Sequence, residues 1–304
     1  MFIVFCFIGN LPSYIKETVY QARCFFEGDI YLITSQIDSI YLNDIKKYNV
    51  NIVKYEDVVS LEFLEIAKKN IHKFEYIHRL VGREQLFLRS FERFFVLQNL
   101  MKQKNLEDCL FLELDILIYD EPTKWVSSFS ESELCYMFDN YERFCSGIMY
   151  IKNFKSITGL LEEMLNFISN SNSFMNEMTV LSLFYDKNKQ NVQILPTYWC
   201  EPGMPFETHL NYSKYNETIF DSAAMGGYLF GMDTIHTNFK IVKYQKSNWA
   251  YIDATKNVFK WVKDDKDRQR PYIWTGEKWI LINNLHIHAK NLNEALSLPI
   301  EYNL

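Results

Sequence analysis

Leu110-Phe-Leu-Glu113-Leu-Asp115-Ile-Leu-Ile-Tyr-Asp120 sets two carboxylates into a run that is otherwise apolar and of strand length. Unbroken apolarity of this kind is expected of a central strand covered on both faces. Alternation along a strand would send Glu113 and Asp115 to one face, with Cα atoms about 7 Å apart. Carboxylates in such surroundings are costly unless they are paired or bound to a cation. The plain alternative is that they mark the strand's C-terminal end, where the chain exits toward solvent and Asp120-Glu121-Pro122 starts a turn. Open α/β sheets bind ligands at the carboxyl ends of their strands. Hard oxygen ligands there suit Mg²⁺ or Mn²⁺, which take one or two carboxylates and complete their shells with phosphate and water.

Working outward, apolar runs of strand length recur at residues 2–8, 29–34 and 50–55, separated by helical stretches at 13–26 and 39–48. Strands alternating with helices at this spacing predict right-handed β-α-β units and a Rossmann-type α/β fold with a mostly parallel sheet flanked by helices. Residues 81–103 read as one long helix, with Phe87, Phe91, Phe94, Phe95 and Gln98 at three- and four-residue steps. Beyond residue 120 the pattern is mixed. Strands at 134–138 and 146–152 precede helices at 156–169 and 175–185, and a hairpin spans Tyr272-Ile-Trp274-Thr-Gly276-Glu-Lys-Trp279-Ile. With no internal repeat or Pro/Gly/Ser linker, residues 1–304 read as a single domain. Its nucleotide-type half is 1–120 and its second, mixed half 121–304.

The 304 residues are 48% hydrophobic and 23% charged, with a formal net charge of −6, which excludes disordered, collagenous and coiled-coil classes. The acidic balance lacks a basic stripe, so no nucleic-acid partner is expected. No apolar run reaches the length of a transmembrane helix. The opening MFIVFCFI lacks the basic leader and small-residue cleavage site of a secretory signal and reads as a buried first strand. Six cysteines at 6, 24, 109, 135, 145 and 200 form no CxxC pair, favouring reduced thiols and a cytoplasmic location. The mixed-sign run at 263–268 reads as a solvated loop.

A second cluster lies far along the chain, at Leu285-His286-Ile-His288-Ala-Lys290, where alternation turns both imidazoles one way. Each histidine alone is the kind of residue a core or surface holds without further role. Beside a carboxylate strand they suggest an imidazole completing a metal shell and an ammonium meeting a phosphate. Mixed nitrogen and oxygen ligands shift the preference from Mg²⁺ toward Mn²⁺.

Together these motifs resemble the GT-A fold of nucleotide-sugar glycosyltransferases, whose acidic triplet ends a central strand and binds the metal bridging the donor pyrophosphate. Here the triplet is Glu113-Leu114-Asp115, a variant at its first position. Arg89-Ser-Phe-Glu-Arg93 resembles the helix whose arginine reaches the donor or the triplet. Cys145-Ser146-Gly147-Ile resembles the donor-sugar strand, with Cys145 where Asn is usual. Asn176-Glu177-Met178 stands where many members carry Asp-Gln, and His286-Ile-His288-Ala-Lys290 is similar to a C-terminal metal and phosphate motif. Ile219-Phe220-Asp221-Ser-Ala-Ala-Met-Gly226-Gly227-Tyr-Leu-Phe-Gly231-Met-Asp233 resembles a Phe-Asp-Ala-Ala-any-Gly signature of sparsely characterised microbial and viral members.

The resemblance implies transfer of a sugar from a nucleoside-diphosphate sugar, a UDP-sugar foremost, to a glycan or polysaccharide acceptor. Asp115, His286 and His288 are the implied metal residues. Phe7, Ile8, Gly9, Arg89, Arg93, Glu113, Ser146, Gly147 and Lys290 are assigned to the nucleotide-sugar, with Tyr14 near the base, and Asp221 and Glu177 to acid/base work. Trp199, Trp249 and Trp274 are assigned to the acceptor side, with core packing as the alternative. A non-catalytic nucleotide- or glycan-binding relative is the competing reading. A nucleotidyltransferase is disfavoured because Gly9-Asn-Leu-Pro12 has one glycine and no adjacent Lys or Arg.

Overall fold

The computed structural model describes residues 1–74, 85–172, 175–232, 241–247 and 250–300. The apolar N-terminus forms β1 (Phe2–Phe7), and its alternation decides what lies on either side. Ile3 and Phe5 join one buried cluster with the helix Ile15–Phe25, while Phe2 and Val4 join another with the helix Leu86–Lys104. Both faces of the sheet are therefore covered, as the unbroken apolar runs require.

The strands β2 (Ile30–Thr34), β3 (Val50–Lys54), β4 (Glu107–Leu112), β5 (Ile116–Ile118), β6 (Leu134–Asn140), β7 (Arg143–Asn153) and β8 (Val192–Leu195) follow in order. All but β5 join β1 in a seven-stranded sheet of order β3-β2-β1-β4-β7-β6-β8. β7 alone is antiparallel, lying between β4 and β6. The parallel neighbours β1, β2 and β4 thus end at one carboxyl edge. In the second half, β9 (Phe259–Lys263), β10 (Gln269–Trp274) and β11 (Trp279–Leu281) form a separate antiparallel sheet. β12 (Asn284–His286) pairs with β5. This is the mostly parallel α/β class with a mixed second half.

The strand expected over 110–119 is broken. β4 stops at Leu112, a tight turn closes through Ile116 N–H to Glu113 C=O at 3.0 Å, and β5 leaves to pair with β12. The break has a physical reason. β4 takes its hydrogen bonds from β1 and β7, whereas β5 takes them from the C-terminal segment, so the chain must change direction between partners. Glu113 and Asp115 consequently occupy a corner and do not alternate along one strand.

Smaller differences follow from local chemistry. The long helix runs Leu86–Lys104, and residues 81–84 of the expected span lie outside the described ones. The expected helix at 39–48 is a short α-helix, Tyr41–Ile45, continued by a 3₁₀ turn that ends on Asn49 in the left-handed region at φ 53°. The charge run at 263–268 is the β9–β10 turn, where Asp264 accepts from the Arg268 backbone and side chain. All six cysteines are free thiols. Among the described residues no helix is long and apolar enough to cross a membrane.

Candidate metal centre and donor site

The corner after β4 meets the end of β12. Ile116 sits opposite His286 in the β5–β12 register, and Ile287 N–H donates to Asp115 C=O at 2.8 Å. This brings His286 Nε2 to 3.3 Å from Glu113 Oε2 and 3.4 Å from Asp115 Oδ2. His288, just past the strand, aims its Nε2 at His286 Nε2 across 3.0 Å. Lys290, held in the left-handed region at φ 62°, places its ammonium on Asp115 Oδ2. Residues about 170 positions apart thus share one pocket because β5 and β12 pair.

The tautomer of His286 is fixed from behind. Its Nδ1 lies 2.8 Å from the Ser222 carbonyl, which can only accept, so Nδ1 keeps a proton and Nε2, the nitrogen left for a metal, is turned toward the carboxylates. This is the usual support of a metal-bound imidazole. Gly147 leaves room for the ring, since a Cβ there would stand 3.2 Å from His286 Nδ1. Gly226 is tighter: a Cβ would meet the His286 carbonyl oxygen at 2.2 Å. Of these supports, Ser222 and the packing role of Gly226 were not legible as such. Ser222 adjoins Asp221 in sequence, but nothing local shows that its carbonyl meets a histidine 64 residues away.

One ligating atom from each of Asp115, His286 and His288 lies within 4.8 Å of the others. Two donors bound to one cation at about 2.1 Å and at right angles stand about 3.0 Å apart. The separations of 3.0 and 3.4 Å therefore match neighbouring corners of a coordination shell. Without a metal, protein cations balance the same atoms. Burial opposes an imidazolium at His286, but Asp115 outweighs it and lifts the pKa well above the ordinary histidine range. Burial and the His286 charge push His288 down to about 3, so it stays neutral. Burial disfavours charge on Glu113 and Asp115 as well. Arg93 nevertheless holds Glu113 at about 2, and Lys290 and His286 hold Asp115 well below the usual range. An imidazolium and an ammonium together supply two positive charges, the charge of one divalent cation. The donor set fits such an ion.

Beside this pocket lies a second polar knot. Arg93 pairs with Glu113, donates to Ser146 Oγ at 2.9 Å and reaches Glu177 Oε1 at 3.2 Å. Ser90, one turn earlier on the same helix, donates to Glu177 Oε2 at 2.7 Å. Arg93, Glu113, Ser146 and Glu177 are thereby brought together. Arg89 is not among them: its guanidinium pairs with Glu92 and Gln85, away from the corner.

Phe7, Ile8 and Gly9 stand at the shared carboxyl edge, where Gly9 has φ 136° and donates to Ser35 Oγ at 2.9 Å. Tyr14 lies close enough to Lys290 to interact with its charge. Asp221 occupies a different position from a free base. It is 1% exposed, and its carboxylate accepts backbone N–H groups from Met225 at 2.9 Å, Gly226 at 2.8 Å and His286 at 3.1 Å. Cys145 is buried, with its thiol 3.3 Å from the same Ser222 carbonyl that holds His286. Trp199 and Trp274 line one cavity in the second half, and Trp249 lies outside the described residues.

Solved glycosyltransferases resemble the chain. Mouse xyloside xylosyltransferase 1 in its apo form is 9% identical, with 64% of this chain and 84% of that one covered at a TM-score of 0.46. The galactosyltransferase LgtC, in complex with donor and acceptor sugar analogs, is 14% identical over 64% of this chain and 73% of its own, with a TM-score of 0.42. GlyE of Streptococcus pneumoniae is 14% identical over 63% of this chain and 44% of its own at 0.40. No family model and no curated protein matches the chain.

Proposed function

We propose that the protein is a metal-dependent glycosyltransferase, acting in the cytoplasm on a nucleoside-diphosphate sugar, UDP-linked in the first instance, and a glycan or polysaccharide acceptor. The observation that carries this reading is the convergence of Asp115, His286 and His288 at the carboxyl edge, with His286 Nε2 turned inward by the Ser222 carbonyl at Nδ1. A divalent ion, Mn²⁺ ahead of Mg²⁺ for a mixed nitrogen and oxygen set, would supply Lewis-acid stabilisation of the leaving diphosphate.

This chain's residues divide the remaining work. Lys290, now on Asp115, is placed to turn its ammonium to a phosphate oxygen and add to the electrostatic stabilisation of the departing nucleotide. Glu113 orients Arg93, which in turn fixes Ser146 on the strand beside the sugar, with Gly147 keeping the backbone close. Phe7, Ile8 and Gly9 form the nucleoside side, the first half of the chain up to residue 120, and residues 121–304 supply the sugar and acceptor side. Glu177 is the carboxylate next to Ser146 and Arg93, and we assign it the acid/base or sugar-orienting role. Asp221 positions: its three N–H bonds bind the turn before the helix Ala224–Phe230 to β12.

The test is a thermal-shift titration with Mn²⁺ and UDP over a panel of UDP-sugars, followed by nucleotide release on incubation. Mn²⁺ and UDP together should raise Tm where neither does alone, and UDP should appear from at least one donor. Absence of any metal-dependent shift across the panel defeats the reading. A second reading has its own support: Glu177 and Asp221 both have their oxygens occupied by protein donors, as in a module that binds without turnover. A shift without nucleotide release selects it.

A further inference from the structure

A cavity of about 990 Å³ opens in the second half between the β6–β7 turn, the segment 198–204 and the β10–β11 turn. None of the acidic-corner residues line it. It shares a wall with the metal centre, however. Tyr251, on its rim, donates its N–H to Asp139 C=O at 3.0 Å, Asp139 faces Ser222 Oγ at 3.5 Å, and the Ser222 carbonyl holds His286.

The lining alternates flat rings with hydrogen-bonding groups. Trp274, Tyr141 and Tyr251 supply the rings, backed by Trp199, which is 8% exposed and stacked on Tyr198 at 3.7 Å. Tyr141 is 66% exposed and Tyr251 38%, and they meet edge to face at 5.8 Å, so apolar ring surface stands open to the solvent. Asn257 donates through Nδ2 to the Tyr198 hydroxyl at 2.9 Å, which orients its amide. Its Oδ1 has no hydrogen-bond partner among the described residues and is closed off from solvent, so a sugar hydroxyl meets it once the side chain turns toward the cavity. Three carboxylates (Glu142, Glu201, Asp253) face two ammonium groups (Lys246, Lys256), so the lining carries only a small net charge. A polyanion or polycation has no matching field here. A neutral, polyhydroxylated ligand does: its C–H faces lie on aromatic rings, and its hydroxyls donate to an amide or carboxylate and accept from an ammonium. The volume reaches the upper end of small-ligand pockets, about 300–1,000 Å³, room for more than one sugar ring.

We propose that this cavity is an oligosaccharide site, gripping sugar units of the acceptor other than the one that receives the transferred residue. The acceptor assignment rests on the proposed transferase function; saccharide binding by itself does not. Back-to-back placement with the metal centre lets a chain held here present its end around the Asp139–Ser222 wall.

The experiment is saturation-transfer NMR on the full chain with maltotriose, cellotriose and chitotriose, alongside a tyrosine-rich peptide as the rival ligand. At least one trisaccharide should receive saturation. Tyr251→Ala, a change at the surface, and Asn257→Leu should each weaken its binding by about tenfold, with Trp274→Ala as the stronger but less surface-confined variant. No saturation of any trisaccharide, affinities unchanged in both Tyr251→Ala and Asn257→Leu, or saturation of the peptide alone overturns the proposal. The Mn²⁺ and UDP thermal shift separates the two readings. If that shift is intact while no trisaccharide binds, the cavity assignment fails alone. If a trisaccharide binds but the shift is absent, the transferase reading fails and the saccharide site stands.

Discussion

Asp115 and Asp221 are both buried carboxylates drawn from motif-like stretches, yet the structure surrounds them oppositely. Asp221 is closed off by three backbone N–H groups fixed in place by a turn and a strand. Asp115 is met by side chains alone at its carboxylate, an ammonium on a flexible stem and an imidazole whose proton a metal can displace. Fixed donors make a carboxylate part of the scaffold. Movable cations mark a place where another cation can be exchanged in. A buried acid is therefore read by the kind of partner it has, and burial alone would have scored the two alike.

The comparison breaks most visibly if Asp115→Ala and Asp221→Ala behave the same. Asp115→Ala is expected to abolish the Mn²⁺-dependent thermal shift and to lower transfer by about 10²–10³-fold, the usual effect of losing one electrostatic stabiliser. Its metal-free Tm should fall as well, because the Lys290 ammonium and the His286 imidazolium lose the carboxylate that pairs them. Asp221→Ala should also lower Tm in metal-free protein, since three buried N–H groups lose their acceptor, but it should leave a Mn²⁺-dependent shift. Asp221→Asn, which keeps an acceptor oxygen, should lose about 1–3 kcal/mol in urea unfolding. A large loss of activity in Asp221→Asn at unchanged Tm would return Asp221 to the role of a base.

Gly226 sharpens the same contrast at the backbone. A methyl group there would collide with the His286 carbonyl, which cannot move without shifting β12. Gly226→Ala is expected to cost about 1–3 kcal/mol of stability and to weaken Mn²⁺ binding about tenfold, as losing the contacts that orient a metal-bound imidazole does. Isothermal titration with Mn²⁺ and a urea melt read the two effects separately. Unchanged metal affinity would mean that the helix Ala224–Phe230 does not hold His286 in place.

How far the sequence discloses the site follows from range. Alternation within β1 and the spacing of Phe91, Phe94 and Phe95 are local, and they place the strands and the long helix on the correct faces. The pairing of an acidic corner with a distant His-any-His-any-Lys is not local. It was reachable only because both segments carry polar groups in apolar runs. The turn at Glu113 was invisible for the same reason, since β5 departs to meet a partner 166 to 170 residues away, as the Ile118–Asn284 to Ile116–His286 register shows. Arg89 and Arg93 show the limit most plainly: four residues apart on one helix, only Arg93 faces the corner, and Arg89 is held by Glu92.

Glu177 lies between the two extremes, with one donor from a hydroxyl and one from a guanidinium. Burial raises its carboxyl above the ordinary value, against the pull of Arg93 and Ser90. The folded protein therefore keeps this proton at a pH where the unfolded chain has released it, and stability falls as pH rises from about 4.3 toward the folded value, then levels off. Glu177→Gln removes that proton from the balance while retaining an acceptor for Ser90. Urea melts across pH 4–8 should show a shallower decline in the variant and a stability at pH 7 within about 1 kcal/mol of the wild type. A loss of about 3 kcal/mol or more at pH 7 would mean that the Arg93 pair outweighs burial. Glu177 would then belong with Asp221 among the scaffold acids, whose donors are already committed.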